Sequence, residues 1–421
     1  VSQQAVTIDG AATSIDLSSG NLIYATQTAD TTVSFANSEN GNVYFVRIPD
    51  GTTRTLTWPD RVKWNGGSAP TLADGSTDYQ VFLLVTRDMG VTWYGKVSAE
   101  NTNLRNLYAW GKNNYGSLGQ NQAWDQLNGA SSPTQIPGTT WSANMQGGVN
   151  ATWAVKGDGT LWSWGYGSQG ILGRNDIVSQ SSPVQVGSDT TWSKTRRTLA
   201  SDQGYGVGSI KTDGTLWAWG RNNNGELGQN NVTKYSSPTQ IPGTTWSKVS
   251  MGNQNALAIK TNGTLWGWGR GYNGTLGLNS QASVSSPVQV GTDTTWNDVV
   301  SRSYNAFATK TDGTLWVTGY NFFGTLGLNQ AHGVAISSPM QIGTNTTWGN
   351  LPNNGGDDSI HMMALKTDGT LWVWGRGASG ALGLNEGTTS EVSSPIQVGT
   401  DTTWSTCAFG YFESGALKTD G

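Results

Sequence analysis

Lys211-Thr212-Asp213-Gly214-Thr215-Leu216-Trp217-Ala218-Trp219-Gly220 decides the fold of this chain, because close variants of it recur along the sequence. The W-x-W-G core ends at Gly111, Gly165, Gly220, Gly269, Gly319 and Gly375, with Tyr108 for the first Trp in one copy and Thr318 for the second in another. The six copies are spaced by 54, 55, 49, 50 and 56 residues. A steady period of this size, in a chain with 58 Gly and 21 Trp, is the pattern of an all-β propeller with one supersecondary unit per blade.

Working outward from the core, the copy at 244–291 shows four strands. Residues 245–250 and 256–260 alternate and suit the first and second; Asn262-Gly263 predicts a two-residue turn, because such pairs accept the positive φ of tight hairpins. The third strand spans 264–268, where Trp266 and Trp268, two apart, share one face. Pro287 begins an outer strand, where one edge needs no partner. Because the Trp recur at the same slots, they are assigned to blade packing, as are Trp141, Trp192, Trp246, Trp296, Trp348 and Trp404.

Lys418-Thr419-Asp420-Gly421 is half of such a hairpin, and residues 106–111 are a third strand without its partner. The two are therefore expected to share one blade, closing a six-bladed ring; the alternative is a seventh blade beyond residue 421.

Composition removes several function classes. Only 12% of residues are charged, the net charge is −4 and Lys/Arg are scattered, which argues against a nucleic-acid surface. There is no 18-residue apolar run to insert in a membrane as a helix. The single cysteine, Cys407, excludes an intrachain disulfide framework and is expected to be a small buried hydrophobe. His332 and His361 lie in different copies without ligand spacing, so no metal or cofactor is expected. No nucleophile elbow or P-loop occurs. Asp357-Asp358 could serve as half of a glycosidase pair in a glycan depolymerase, and adjacent acids in a Gly/Asn-rich loop are more often simply solvated.

The K-T-D-G-T-L-W-x-W-G hairpin followed by N-x-x-G-x-L-G, clearest at Lys211–Gly220 and 222–228, resembles the RCC1-type repeat over residues 106–421. The resemblance implies a propeller, seven-bladed in most of the family, whose members serve nucleotide exchange, inhibition or scaffolding on one architecture. The exchange factors of that family place a His just before the second strand. Here that slot varies, with Asn255 and Asn305 as examples, so exchange activity and chromatin binding are not carried over.

Residues 1–98 read differently. Alternating stretches at 42–48, 55–58, 62–64 and 80–86 predict an antiparallel β-sandwich-like module, followed by a polar linker at 99–105 and the propeller at 106–421. The run T-W-P-x-x-V-K-W-x-G-G-x-A-P-T-L at 57–72, with a closing T-W-Y-G-x-V at 92–97, resembles a module of tailed-phage fibre and virion structural proteins. That resemblance implies a place on the virion surface, other virion proteins as partners of 1–98, and several copies per particle.

In an up-and-down blade the connections 1–2 and 3–4 lie on one face of the disc. Across the six copies that face varies and is rich in aromatics: Tyr115, Tyr166, Tyr205, Asn223, Tyr272, Tyr304, Phe322, Phe323, Tyr411 and Phe412. Aromatics on loops held by a rigid scaffold make a binding surface. The expected function is thus a non-enzymatic virion protein (fibre, appendage or capsid decoration) displaying the propeller to a host-surface glycan or envelope protein. The rival readings are a secreted bacterial propeller that binds or inhibits a protein, and a glycan depolymerase.

Overall fold

Thr31–Ala36 alternates between covered and open positions, with Thr31, Val33 and Phe35 facing inward, as a strand with one buried face must. It belongs to the first of two compact units, Val1–Leu104 and Arg105–Gly421. The structure is a computed structural model and describes all residues except 1–2, 9–11, 20–21, 38–40, 50–55, 59, 61, 65–79, 87–91, 101–105, 123–128, 149, 203–204, 350, 353–360, 386–390, 410–413 and 420–421.

The first unit contains β1 (Gln3–Ile8), β2 (Ala12–Asp16), β3 (Leu22–Gln27), β4 (Thr31–Ala36), β5 (Gly41–Pro49), β6 (Leu56–Thr57), β7 (Val62–Trp64), β8 (Gln80–Thr86) and β9 (Trp93–Glu100). They form a sheet ordered β1-β3-β5-β8-β9-β7 and a second ordered β2-β4-β6. One core, including Ile15, Ile23, Val33 and Phe45, draws from both sheets, which is the expected sandwich-like layering. Among the described residues the expected antiparallel pairing holds only for β5–β8 and β8–β9. β1, β3 and β5 pair in parallel, as do β2, β4 and β6, because successive strands cross from one sheet to the other. Alternation in sequence reports which face is covered and not the direction of the neighbour. β9 continues to Glu100, so the first two residues of the expected linker belong to a strand.

In the second unit, β10 (Tyr108–Lys112) and β11 (Gly129–Gln135) form a two-stranded sheet. Three antiparallel four-stranded blades follow: β12 (Trp141–Gly147), β13 (Ala151–Lys156), β14 (Leu161–Gly165) and β15 (Gln180–Gln185); β16 (Leu199–Asp202), β17 (Gly206–Ile210), β18 (Leu216–Gly220) and β19 (Tyr235–Gln240); β20 (Trp246–Gly252), β21 (Asn255–Lys260), β22 (Leu265–Gly269) and β23 (Val284–Gln289). β24 (Trp296–Ser301), β25 (Asn305–Lys310), β26 (Leu315–Tyr320) and β27 (Ala335–Gln341) make another. β28 (His361–Leu365), β29 (Leu371–Arg376) and β30 (Glu391–Gln397) make a three-stranded blade, extended by a bridge from Trp348 to Lys366. β31 (Trp404–Phe409) and β32 (Ser414–Lys418) pair alone.

The repeated motif is explained by its hairpin. Lys211 N–H donates to Thr215 O at 2.9 Å and Gly214 N–H to Lys211 O at 3.0 Å, which leaves three residues in the connection rather than the expected two. Gly214 takes φ +77° and Asp213 does not join it in the left-handed region, so this is a type I turn completed by glycine. Asp213 is free to use its carboxylate: Oδ1 accepts from Thr215 N–H and Oγ1 at 2.9 and 2.7 Å. Thr215 Oγ1 accepts from Trp217 Nε1 at 2.9 Å. The Lys211 ammonium lies 3.9 Å from the Trp217 ring centre and 4.9 Å from that of Trp192. The same arrangement recurs around Asp158, Asp312 and Asp368, so K-T-D-G-T-L-W is a structural device.

The second Trp of W-x-W-G crosses to the preceding blade. Trp164, Trp219, Trp268 and Trp374 donate through Nε1 to the carbonyls of Ser117, Ile171, Glu226 and Thr325 at 2.9–3.1 Å. Where Thr318 replaces Trp, its hydroxyl donates to Thr275 O at 3.2 Å. The G-x-L-G glycines exist for this approach: a Cβ on Gly119, Gly173, Gly228 or Gly327 would stand 2.8–2.9 Å from the indole nitrogen.

The expected shared blade is present as two halves. Among the described residues β10–β11 and β31–β32 are separate two-stranded sheets with no ladder between them, each satisfied by its own local partner. Inside the disc, Arg197 is pinned across the channel: it donates to Leu351 O and Pro352 O at 2.6 Å each and its Nε lies 3.4 Å from Asp298 Oδ1. Cys407 is buried, as expected, and burial pushes its thiol up to about 11.

Candidate binding face

The glycine that closes each W-x-W-G core, at or one residue before the end of the third strand, has φ between +93° and +106°, which swings the chain into the 3–4 connection at one end of the blade. A buried Asn pins that connection in alternate copies. Asn113, Asn222 and Asn321 accept through Oδ1 from the N–H of Leu118, Leu227 and Leu326, and Nδ2 donates to loop carbonyls such as Gln122 O and Gln330 O. Gly167, Gly271 and Gly377 hold the same place in the copies between. The residue before the next glycine is left-handed in five copies: Tyr115, Gln169, Asn273, Phe323 and Ser379, with φ of 54–64°. Asn suits that region; Tyr and Phe are held there at a cost of about 1–2 kcal/mol each.

Most of the expected aromatics lie on this face, in contact with one another or with cations. Tyr115, 46% exposed, and Tyr166 have ring centres 4.4 Å apart although they come from adjacent copies. Tyr205 lies 4.5 Å below the guanidinium of Arg221, and Tyr272 lies 5.1 Å from that of Arg270. Tyr304 stacks on Phe322 at 5.7 Å, Phe322 meets Phe323 at 4.2 Å, and Arg376 from the next blade covers Phe323 at 4.5 Å. Asn223 is exposed in its turn beside Asn224, whose amide donates to Gln254 Oε1 at 2.7 Å. Tyr411, Phe412 and the Asp357-Asp358 pair lie outside the described residues.

Sequence reading missed the cations. Arg221, Arg270 and Arg376 each directly follow W-x-W-G, a constant position that the motif itself marked. It also missed His332, which joins the Phe322–Phe323 group at 5.3 and 5.2 Å. His332 Nδ1 accepts from Phe323 N–H at 3.1 Å, so the proton of the neutral ring sits on the exposed Nε2. His361 is different: it is buried at the start of β28, in the slot that Asn255 and Asn305 occupy in other copies. Its Nε2 bonds Ser414 Oγ at 2.9 Å, and Ser414 donates onward to Ala381 O at 2.7 Å. No group of three or more His, Cys, Asp or Glu placed to hold a metal occurs among the described residues.

These blades and this face define a β-propeller with one structural and one variable side. The regulator of chromosome condensation (RCC1) repeat matches residues 106–155, 158–194, 213–259, 262–303 and 368–417, and the chain belongs to that family. It is 27% identical over 190 residues to the mitochondrial RCC1 domain-containing protein RUG3 of Arabidopsis thaliana, covering 42% of each chain. It is 27% identical to the ultraviolet-B receptor UVR8 of Arabidopsis thaliana, over 38% of this chain and 36% of that one. The chain thus spans less than half the length of these relatives. Among solved structures, yeast RCC1 (Prp20) bound to Kap60 superposes with a TM-score of 0.62 at 18% identity, over 76% of this chain and 77% of the other. Human WBSCR16 gives 0.62 at 18% identity, over 80% and 85%. At such identities the likeness is one of fold.

Proposed function

We propose that the chain is a non-enzymatic binding protein that presents the 1–2/3–4 loop face of its propeller to a macromolecular partner. The observation that carries this reading is the asymmetry of the disc. The K-T-D-G side is consumed by repeated internal contacts, whereas the other side spends strained backbone at Tyr115 and Phe323 to hold aromatics beside Arg221, Arg270 and Arg376. Tyr and Arg are the side chains that dominate interface energetics, and a face pre-ordered by buried Asn clamps loses little entropy on docking.

The setting we favour is the surface of a tailed-phage particle, with residues 1–98 joining other virion proteins in multiple copies and the propeller facing a host glycan or envelope protein. Its support is the sequence run at 57–72 and 92–97. Proteomics and immunogold labelling of purified particles are expected to find the chain on the exterior. Cells should bind the purified chain, and the Tyr205→Ala/Phe323→Ala variant should bind at least tenfold more weakly. A chain found only free in the medium would overturn the virion setting; unchanged adsorption by the double variant would overturn the face.

A second reading, a secreted propeller that binds or inhibits a protein, is favoured by one observation: yeast Prp20 was solved in complex with the protein Kap60. Affinity capture by the full chain, abolished by the same double variant and absent from particles, is the outcome that would select it.

A further inference from the structure

Of the three arginines on the loop face, one carries its own counter-ion and two do not. Arg221 lies 3.3 Å from the buried carboxylate of Glu226, five residues further on. The same step from Arg270 and Arg376 leads to Thr275 and Ala381, neither of them acidic. Among the described residues these two guanidiniums meet rings, Tyr272 and Phe323, and neither forms an ion pair. Glu391 stands opposite Arg376 across the β29–β30 ladder, yet the guanidinium sits over Phe323 and not beside that carboxylate. A chain of net charge −4 thus holds two cations without a paired acid on this one face.

Between them stands a ridge of rings on the β24–β27 blade. Arg270 directly follows β22, on the blade before, and Arg376 ends β29, on the blade after. Tyr304, 44% exposed, stacks on Phe322 at 5.7 Å with 25° between the planes. Phe322 is backed in turn by Phe323 at 4.2 Å and Tyr320 at 6.4 Å. Tyr304 therefore offers an open ring face on a stacked support, and a ligand that docks on it orders little further. His332 adds a directed donor beside the same rings, since its Nδ1 is taken by Phe323 N–H and its Nε2–H is exposed.

We propose that this ridge is a subsite for a carboxylate-bearing glycan, one that contains uronic or sialic acid units. The inference rests on the loop-face reading and adds the chemistry of what that face takes. A pyranose lays its C–H face against Tyr304, while a carboxylate accepts two parallel N–H bonds from the fork of Arg376. A guanidinium over a ring face keeps the N–H groups at its edge for that bond, so Phe323 orients Arg376 without using up its donors. His332 Nε2–H and Arg270 donate to the flanking units. The steps from Tyr304 to Phe322, Phe323 and Arg376 are each between 4.2 and 5.7 Å, so ring and guanidinium lie within reach of one short oligosaccharide.

Charge and shape favour this class over two others. The nitrogen groups of the ridge all donate, which suits a ligand of hydroxyls and carboxylates. A nucleic-acid strand asks for a run of cations along its phosphates, and only 12% of this chain is charged. An acidic peptide would pair with the guanidiniums and leave the open ring of Tyr304 without a matching flat face.

The test is calorimetry of the full chain with trigalacturonate and sialyllactose, against carboxyl-reduced trigalacturonate, lactose and lactose sulfate. At least one acidic probe is expected to bind about tenfold or more tighter than its neutral counterpart. Arg376→Gln should remove that difference and leave the neutral probe where it was, and Arg376→Lys, which keeps the charge without the fork, should recover only part of it. Tyr304→Ala should weaken acidic and neutral probes alike. Thermal melts accompany each variant, and Arg270→Gln gives the same readout from the other flank should Arg376→Gln unfold. Acidic and neutral probes bound equally, the sulfate preferred to both carboxylates, or no acidic probe bound at millimolar concentration would each overturn the inference. So would a preference for the carboxylate that survives in folded Arg376→Gln and Arg270→Gln. A chain that fails here and still adsorbs to cells through Tyr205 and Phe323 would lose this ligand class and keep its loop-face reading.

Discussion

The guanidinium of Arg376 lies 4.5 Å from the ring centre of Phe323, and the two residues come from adjacent blades. Phe323 is held at φ 54°, where its side chain costs about 1–2 kcal/mol, and the contacts with Arg376, Phe322 and His332 offset that strain. Phe323→Asn is therefore expected to leave thermal stability within about 1 kcal/mol of the parent, because Asn tolerates the left-handed region. Partner adsorption should fall by at least tenfold. A calorimetric scan beside a cell-binding isotherm checks both halves; a large loss of stability would make the ring structural rather than functional.

His361 gives the propeller an acid limit. Burial, with Arg302 nearby, lowers its folded pKa from the ordinary 6.5 to about 4. Between those values the unfolded chain binds the proton and the folded chain does not, so stability rises with pH across that window. The contribution is complete above about 6.5, is lost as pH falls towards 4, and amounts to about 3 kcal/mol at most. His361→Asn places in this copy the residue found at Asn255 and Asn305, and it does not titrate. Urea unfolding at intervals from pH 4 to 7 should show a shallower slope for the variant; identical slopes would remove His361 as the cause.

The fold was legible because the repeat is a packing unit: each Trp, Gly and Thr of the motif recurs since each interface needs the same contacts. The side of the disc that varies was legible too, from strand order and from Tyr205, Tyr272 and Phe322 in the loops. What the sequence concealed is non-local or a matter of turn geometry. Asp213-Gly214 reads as a two-residue turn, and only the Lys211–Thr215 bond shows three. Parallel pairing of β1, β3 and β5 leaves the same alternation as antiparallel pairing. Arg197 gave no signal at all, since its partners are 101 and 154–155 residues away.

That cross-channel contact is a buried charge with a single strong answer. Arg197 and Asp298 are 8% and 2% exposed, and burial lowers the arginine's pKa while Asp298 opposes the shift. Arg197→Ala leaves the Asp298 carboxylate with Lys248, 3.8 Å away, as its cation and with the N–H groups of Val299 and Leu351, and frees the carbonyls of Leu351 and Pro352. The expected loss is about 3–5 kcal/mol, and Arg197→Met/Asp298→Leu should recover much of it, because a buried pair is costlier to halve than to replace. Chemical denaturation of the two variants decides the point; a double variant no better than the single would show that the carbonyl contacts dominate.

Trp268 separates area from hydrogen bonding at a blade interface. Its ring is 1% exposed, packs at 5.9 Å on Trp246, and donates to Glu226 O at 2.9 Å. Trp268→Phe keeps most of the buried area and orphans the carbonyl, for an expected loss of about 1–3 kcal/mol. Trp268→Ala removes the area as well and opens the space above Gly228, for about 3–5 kcal/mol. The ordering Ala below Phe below parent, in urea midpoints at unchanged slope, is the prediction. Equal losses for the two variants would mean that the indole N–H, not its bulk, fixes one blade to the next.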